Sequence, residues 1–161
     1  MNTKKWAGWQ TLEVINGRDA STDLAGRKLQ RIELPTADIG DSAALKVGHF
    51  VLAVARPGES GRGLNASLGV INAGGTWRIW SGGQIDQFVR LDLTLYPGCS
   101  GGPLGDAQGR IIGINRLITG GLALAVPSRL VERFLRRRQL NRSGDPGHPS
   151  GLNFVIEPPG V

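Results

Sequence analysis

Short apolar runs separated by glycine-containing turns constrain the fold of this chain more than any other feature. The 161 residues include 25 glycines, and turns are expected at Asn16-Gly17 and at the glycine pairs 74–75, 82–83 and 120–121. His49–Ala55 is a nearly continuous apolar run with the length of one buried strand. Many short strands at close spacing predict an all-β chain that forms an antiparallel barrel or sandwich. The candidate strands are 11–16, 23–34, 49–55, 66–72, 76–80, 85–93, 103–105, 109–117, 121–126 and 152–156.

One segment has helical rather than strand periodicity. Its apolar residues recur at i, i+1, i+4 and i+5, which places them on one face of a helix. Ser128 precedes this stripe and is the expected N-cap. Arg136-Arg137-Arg138 falls in the last turns, where positive charge suits the helix dipole. The sequence therefore predicts a helix over 127–140 whose stripe is Leu130, Val131, Phe134 and Leu135.

The segment Gly98-Cys99-Ser100-Gly101-Gly102-Pro103-Leu104 holds a serine between glycines. Glycine permits the backbone angles and close approaches by which such a turn can hold a hydroxyl outward. Acyl-transfer enzymes need a nucleophile beside an oxyanion hole. The segment therefore predicts a serine hydrolase, with Ser100 as nucleophile and the N–H groups of Gly98 and Ser100 as oxyanion donors. Cys99 is the alternative nucleophile, although no neighbouring histidine is evident to activate it and its side chain is expected to point away from substrate.

An ordered set of segments resembles the trypsin-like serine proteases of the bacterial HtrA/DegP type over most of residues 11–135. The resemblance implies two six-stranded β-barrels with the active site between them, and a serine endopeptidase that acts on polypeptides without a cofactor or metal. Asp23 takes the position of the catalytic aspartate, and Asp92 is a rival carboxylate. The matching segments are Ser21–Ala25, Leu34–Ser42, Val47–Val54, Phe88–Asp92, Pro97–Leu104, Gly109–Asn115 and Ala123–Ser128.

The resemblance also implies a division of the chain and a substrate cleft. Residues 1–34 correspond to the end of the first barrel, 35–48 to the link between barrels, 49–126 to the complete second barrel with the nucleophile turn, 127–140 to the final helix, and 141–161 to a linker with the stub of a following domain. Strands before the serine and around residue 114 would frame the cleft, where an extended peptide can pair. The expected substrate is a peptide with small or medium apolar side chains, because no acidic residue is placed to bind a Lys or Arg side chain of the substrate. The candidate pocket residues are Leu95, Ile114 and Asn115.

Three positions depart from the family pattern. The family has its catalytic histidine upstream of the aspartate, whereas no histidine precedes Asp23. Cys99 stands where the family has asparagine or aspartate. The family has an apolar strand after the catalytic aspartate, whereas this chain has Gly26-Arg27-Lys28-Leu29 there. The histidines present, His49 and His148, are expected at a strand end and in a Pro/Gly-rich tail, away from the serine.

Three explanations of the missing base are open: a piece of a longer active protease, a pseudoprotease that binds peptides without cutting them, or an unrelated β-rich module for an anionic partner. The net charge of +6 is compatible with an anionic partner. However, the charge is scattered, so no nucleic-acid role is expected.

The single cysteine excludes an intrachain disulfide. No signal peptide or membrane span is evident; the resemblance alone suggests the cell envelope or periplasm, and an oligomer.

Overall fold

A closed antiparallel barrel of six strands forms the centre of the computed structural model. The structure describes residues 14–19, 22, 24–28, 37–55, 63–78, 84–96, 98–118, 122–140 and 154–156. The strands are β1 (Val14–Asp19), β2 (Leu24–Lys28), β3 (Phe50–Ala55), β4 (Asn65–Arg78), β5 (Gln84–Asp92), β6 (Pro103–Asp106), β7 (Ile111–Ile118), β8 (Leu122–Pro127) and β9 (Phe154–Ile156). A 3-10 turn (Ser42–Ala44) precedes β3, and helix α1 (Ser128–Leu140) follows β8.

The barrel closes in the order β3-β4-β5-β8-β7-β6. Alternation along β3 shows how the sequence directs this closure, because successive strand side chains point to opposite faces. Val51, Ala53 and Ala55 point inward and are buried, whereas Phe50 and Leu52 point outward and are exposed. The all-β fold with a complete barrel and a C-terminal helix is therefore confirmed.

Strand β4 is longer than the sequence analysis predicts. Gly74-Gly75 is expected to separate strands 66–72 and 76–80, but Asn65–Arg78 is one strand, and it pairs with β5 on both sides of the glycines, from Val70 to Arg78. The register shifts between Ile71 and Ala73 and again between Gly75 and Trp77. Bulges of this kind bend a strand without ending it, so the glycines here mark bends rather than a turn.

A second, three-stranded sheet has the order β1-β2-β9. The expected turn at Asn16-Gly17 is wrong, since β1 runs through both residues with a register shift between Ile15 and Gly17. Strand β9 pairs antiparallel with β2, matching Gly26 with Ile156. The proposed division of the chain at residues 34, 48, 126 and 140 stays a prediction.

Helix α1 covers the outer face of the barrel beside this sheet. Its apolar stripe packs against Leu24 of β2, Phe88 of β5 and Leu124 of β8. Ser128 is the first helical residue, and its hydroxyl donates to the Gly40 carbonyl at 2.7 Å. The helix is thereby attached to the connector that leads into the barrel, instead of being capped by its own serine as predicted.

Candidate active site

The serine turn lies between β5 and β6 and depends on two glycines. Gly98 has φ +87° and Gly101 has φ +86°, in the left-handed region that side chains other than glycine adopt only with strain. Ser100 lies between them and is half-buried. The glycine spacing seen in the sequence therefore corresponds to two backbone reversals that bracket the serine.

Backbone hydrogen bonds fix this turn at both ends. At its start, the Cys99 N–H donates to the Tyr96 carbonyl at 3.0 Å. At its end, the Gly101 N–H donates to the Asn115 carbonyl, and the Asn115 N–H donates to the Gly102 carbonyl, each at 2.8 Å. The turn is thus held against β7, and the roles of Gly98 and Ser100 as oxyanion donors stay predictions.

Cys99 points into the protein. Its side chain is 4 % exposed and packs in the barrel core with Leu95 and Leu104. A cysteine nucleophile must present its sulfur to substrate, and this one lies among apolar side chains. The burial favours Ser100 over Cys99 as the reacting group.

The candidate pocket residues occupy different environments. Leu95 is buried in the barrel core, and Ile114 is half-buried on β7 opposite Pro103. Asn115 is 2 % exposed, and its Nδ2 donates to two main-chain carbonyls inside the protein. That geometry gives Asn115 a structural role beneath the turn, which the sequence analysis missed. The assignment of the three residues to a substrate pocket stays a prediction.

The candidate carboxylate, Asp23, lies outside the described residues, as does His148. Its neighbours in sequence, Thr22 and Leu24, are 5 % and 3 % exposed. Among the described residues, the buried Thr22 hydroxyl has no hydrogen-bond partner. The described residues on either side of position 23 are therefore buried.

His49 lies at the opposite end of β3 from the serine turn. It is exposed, and its Nδ1 accepts from the Lys46 N–H at 3.4 Å. The other end of β3, at Val54 and Ala55, abuts Gly102 of the turn. Five residues of strand at about 3.3 Å each separate His49 from Val54, so His49 lies about 16 Å from the end of β3 that contacts the turn. A general base must reach about 3 Å from the serine oxygen, so His49 is not the base.

The end of the barrel near His49 carries its own charge pairs. A groove of 340 Å³ is lined there by residues that include Asp41, His49 and Asp106. Burial alone would raise the pKa of Asp106, but hydrogen bonds from the Arg110 N–H and side chain and from the Gln108 N–H outweigh it and hold that pKa below its usual range. These groups stabilise the turn between β6 and β7.

The described part of the chain contains no group of three or more His, Cys, Asp or Glu side chains that could hold a metal ion. Within the same ranges, no helix has both the length and the apolar character needed to cross a membrane.

A closed antiparallel barrel that carries a serine on a turn between two left-handed glycines is the arrangement expected of a β-barrel serine hydrolase. Residues 5–114 match the family model described as a trypsin-like peptidase domain. The chain belongs to this family, whose members are serine endopeptidases.

Curated relatives agree with this assignment. The chain is 33 % identical over 138 residues to a probable periplasmic serine endoprotease, DegP-like, of Chlamydia pneumoniae, covering 80 % of this chain and 28 % of the relative. It is 38 % identical over 117 residues to the DegP-like protein of Pseudomonas savastanoi pv. phaseolicola, covering 69 % and 24 %. The chain thus spans about a quarter of the length of these relatives.

Solved structures show the same architecture. The HtrA-type protease AlgW with a decapeptide superimposes with a TM-score of 0.72 at 30 % identity, over 83 % of this chain and 42 % of AlgW. AlgW with a tripeptide superimposes with a TM-score of 0.67 at 32 % identity, over 77 % of this chain and 42 % of AlgW. The HtrA/DegP resemblance noted in the sequence is therefore confirmed.

Proposed function

We propose that this chain is a serine endopeptidase domain that hydrolyses peptide bonds through an acyl-enzyme, with Ser100 as nucleophile. The observation that carries the proposal is the serine turn, with left-handed glycines at 98 and 101 and a backbone fixed to β7. Such a turn can hold amide N–H groups in place before the reaction, so that no reorganisation is needed as charge develops.

In the proposed reaction, the Ser100 oxygen bonds to the substrate carbonyl carbon while its proton passes to a general base. The N–H groups of Gly98 and Ser100 would stabilise the resulting oxyanion; losing one such donor raises the barrier by about 3–4 kcal/mol. The C–N bond then breaks as the amine takes up the proton, and water hydrolyses the acyl-enzyme. Asp23 would orient the imidazole of a catalytic histidine and stabilise its charged form.

The general base decides how fast this chain can work by itself. His49 is about 16 Å from the turn by strand length, and His148 lies outside the described residues. Loss of the base lowers kcat by about 10⁶-fold in a serine protease. The oxyanion hole and substrate binding still accelerate the reaction about 10³–10⁴-fold over the uncatalysed reaction in water. We infer that the 161-residue chain alone cleaves peptides very slowly.

Substrate and compartment follow from the same proposal. The substrate is an extended polypeptide that presents small or medium apolar side chains, since Leu95 and Ile114 are apolar. AlgW was solved with a decapeptide and with a tripeptide, which supports a polypeptide as the ligand class for a protein of this type. The DegP-like relatives are described as periplasmic, and we propose the cell envelope for this chain too. A cleavage profile dominated by basic residues would contradict the predicted side-chain preference.

A fluorophosphonate probe tests the nucleophile directly. The Ser100 oxygen attacks phosphorus, fluoride leaves, and the hydroxyl proton goes to water or a base, which leaves a stable phosphonyl ester. We expect slow labelling of the purified chain that maps to Ser100 and is lost in Ser100→Ala, while Cys99→Ser is labelled like wild type. Labelling at another residue, or equal labelling of Ser100→Ala, would refute the assignment.

The distance of His49 favours a second candidate, a pseudoprotease that binds peptides without hydrolysing them. This alternative predicts saturable binding of an apolar peptide with no labelling of Ser100 over many hours. Binding that survives both Ser100→Ala and substitutions along β7 would instead indicate a site outside the cleft. The two measurements together separate hydrolase, pseudoprotease and unrelated binding module.

A further inference from the structure

Strand β6 begins with a proline, and this leaves a gap in the barrel's hydrogen bonding next to the serine turn. Strands β3 and β6 pair Val51 with Asp106, Leu52 with Gly105 and Ala53 with Leu104. Continued by one residue, this register would place Val54 opposite Pro103. Proline has no N–H, so Pro103 cannot donate a ladder hydrogen bond to β3.

The side chain of Asn115 fills this gap from the third strand, β7. Its Nδ2 donates to the Val54 carbonyl at 3.2 Å and to the Pro103 carbonyl at 2.9 Å. An amide nitrogen has two hydrogens, and both are thereby used. Asn115 therefore joins β3 to β6 at the position where the proline interrupts their pairing.

The same residue also holds the serine turn through its backbone. The Asn115 carbonyl accepts from the Gly101 N–H, and the Asn115 N–H donates to the Gly102 carbonyl, each at 2.8 Å. Four hydrogen bonds from one buried residue therefore converge on the end of β3 and on the three residues that follow Ser100. No other residue type of this size supplies two side-chain donors in this geometry.

We infer that Asn115 is the positioning residue of the nucleophile turn: its side-chain amide replaces the missing Pro103 N–H and sets where Ser100 and its N–H group lie. The inference rests on the proposed function for its catalytic meaning. Asn115 acts through Gly101, Gly102 and Pro103 and need not touch substrate. Misplacement of a reacting group by about 1 Å can lower a rate about 10²-fold, so this support matters although it is indirect.

A peptide boronate provides the test because it reports the turn geometry without needing turnover. The Ser100 oxygen donates a lone pair to boron, an O–B bond forms, the hydroxyl proton goes to water, and a tetrahedral boronate anion remains. One boronate oxygen then occupies the oxyanion site. A peptide amide of the same sequence measures groove binding alone, so the ratio of the two affinities isolates the contribution of the turn.

The main variant is Asn115→Leu, which keeps the side chain branched at Cγ with the same number of heavy atoms and loses both donors. We expect it to lower the ratio of boronate to amide affinity about 10- to 100-fold. Asn115→Ser, which keeps one donor, should lose less. Ile71→Val is the control for general destabilisation, since β4 pairs with neither β6 nor β7. An unchanged ratio in both Asn115 variants overturns the inference.

Two further readouts separate this inference from the proposed function. Wild type should show the ¹¹B NMR signal of tetrahedral boron, and its absence counts against Ser100 as nucleophile. Hydrogen exchange at the Gly101 amide reports the turn even then: we expect it to be at least about 10-fold faster in Asn115→Leu than in Ile71→Val, because the support of its acceptor strand is lost. Equal exchange in the two variants contradicts a positioning role for Asn115.

Discussion

Replacing Gly102 by alanine should destabilise the barrel at the serine turn. A methyl group at this position would lie well inside van der Waals distance of the Val54 carbonyl and 3.2 Å from both Cα and Cβ of Ala55. These are backbone and strand atoms, which cannot swing aside as a long side chain can. Non-bonded atoms prefer about 3.5 Å, so β3 must retreat from the turn by roughly 1 Å.

Two costs follow from that retreat. Overpacking of a well-packed interior typically costs about 1–3 kcal/mol. The bond from Asn115 to the Val54 carbonyl is already 3.2 Å and would stretch beyond hydrogen-bonding range, which leaves a buried acceptor unpaired at about 1–3 kcal/mol. The free energy of unfolding should therefore fall by about 2–6 kcal/mol. For a chain of this size that corresponds to a melting temperature lower by about 4–24 °C.

Gly105→Ala, on strand β6 three residues further along the chain, is the matched control. A methyl group at Gly105 meets the carbonyls of Leu52 and Arg110 at 3.8 Å, an ordinary contact, so we expect a change of less than about 1 kcal/mol. Urea unfolding followed by tryptophan fluorescence and circular dichroism measures both variants. Equal stability of the Gly102 and Gly105 variants would refute the reasoning from close approach.

Three further outcomes can be measured on the same protein. Ser128→Ala should lose about 1–3 kcal/mol of unfolding free energy, because the buried Gly40 carbonyl loses its 2.7 Å partner; a thermal melt within 1 °C of wild type would contradict this. Asp106→Asn should be destabilising at pH 7, where the carboxylate accepts from Arg110; because hydrogen bonds hold the folded-state pKa of Asp106 below its usual range, the difference should shrink as pH falls through that pKa, as pH-dependent melts would show. Cys99, 4 % exposed, should react with a thiol reagent only after unfolding, and rapid native labelling would reopen its candidacy as nucleophile.

Features with a local signal were predictable from the sequence. The nearly continuous apolar run His49–Ala55 predicted β3 to within a residue, and the stripe at 130–135 predicted the buried face of α1. The glycines around Ser100 marked the serine turn because a left-handed backbone needs glycine wherever it occurs. The same residue type misled at Gly74-Gly75, where pairing with β5 across the glycines turned an expected break into a bulged strand.

The role of Asn115 shows what a single chain's pattern does not predict. Its place on the strand that frames the cleft in the resemblance made it a candidate pocket residue, and that assignment stays a prediction. The sequence did not indicate the partners of its side-chain amide, which are the Val54 carbonyl, 61 positions away in sequence, and the Pro103 carbonyl, 12 positions away. One clue was present: a proline at the start of a barrel strand leaves a neighbouring carbonyl without its donor, and a buried amide on the next strand is a natural replacement. That clue becomes usable only once the register of β3 against β6 is known, and the register is a property of the closed barrel as a whole.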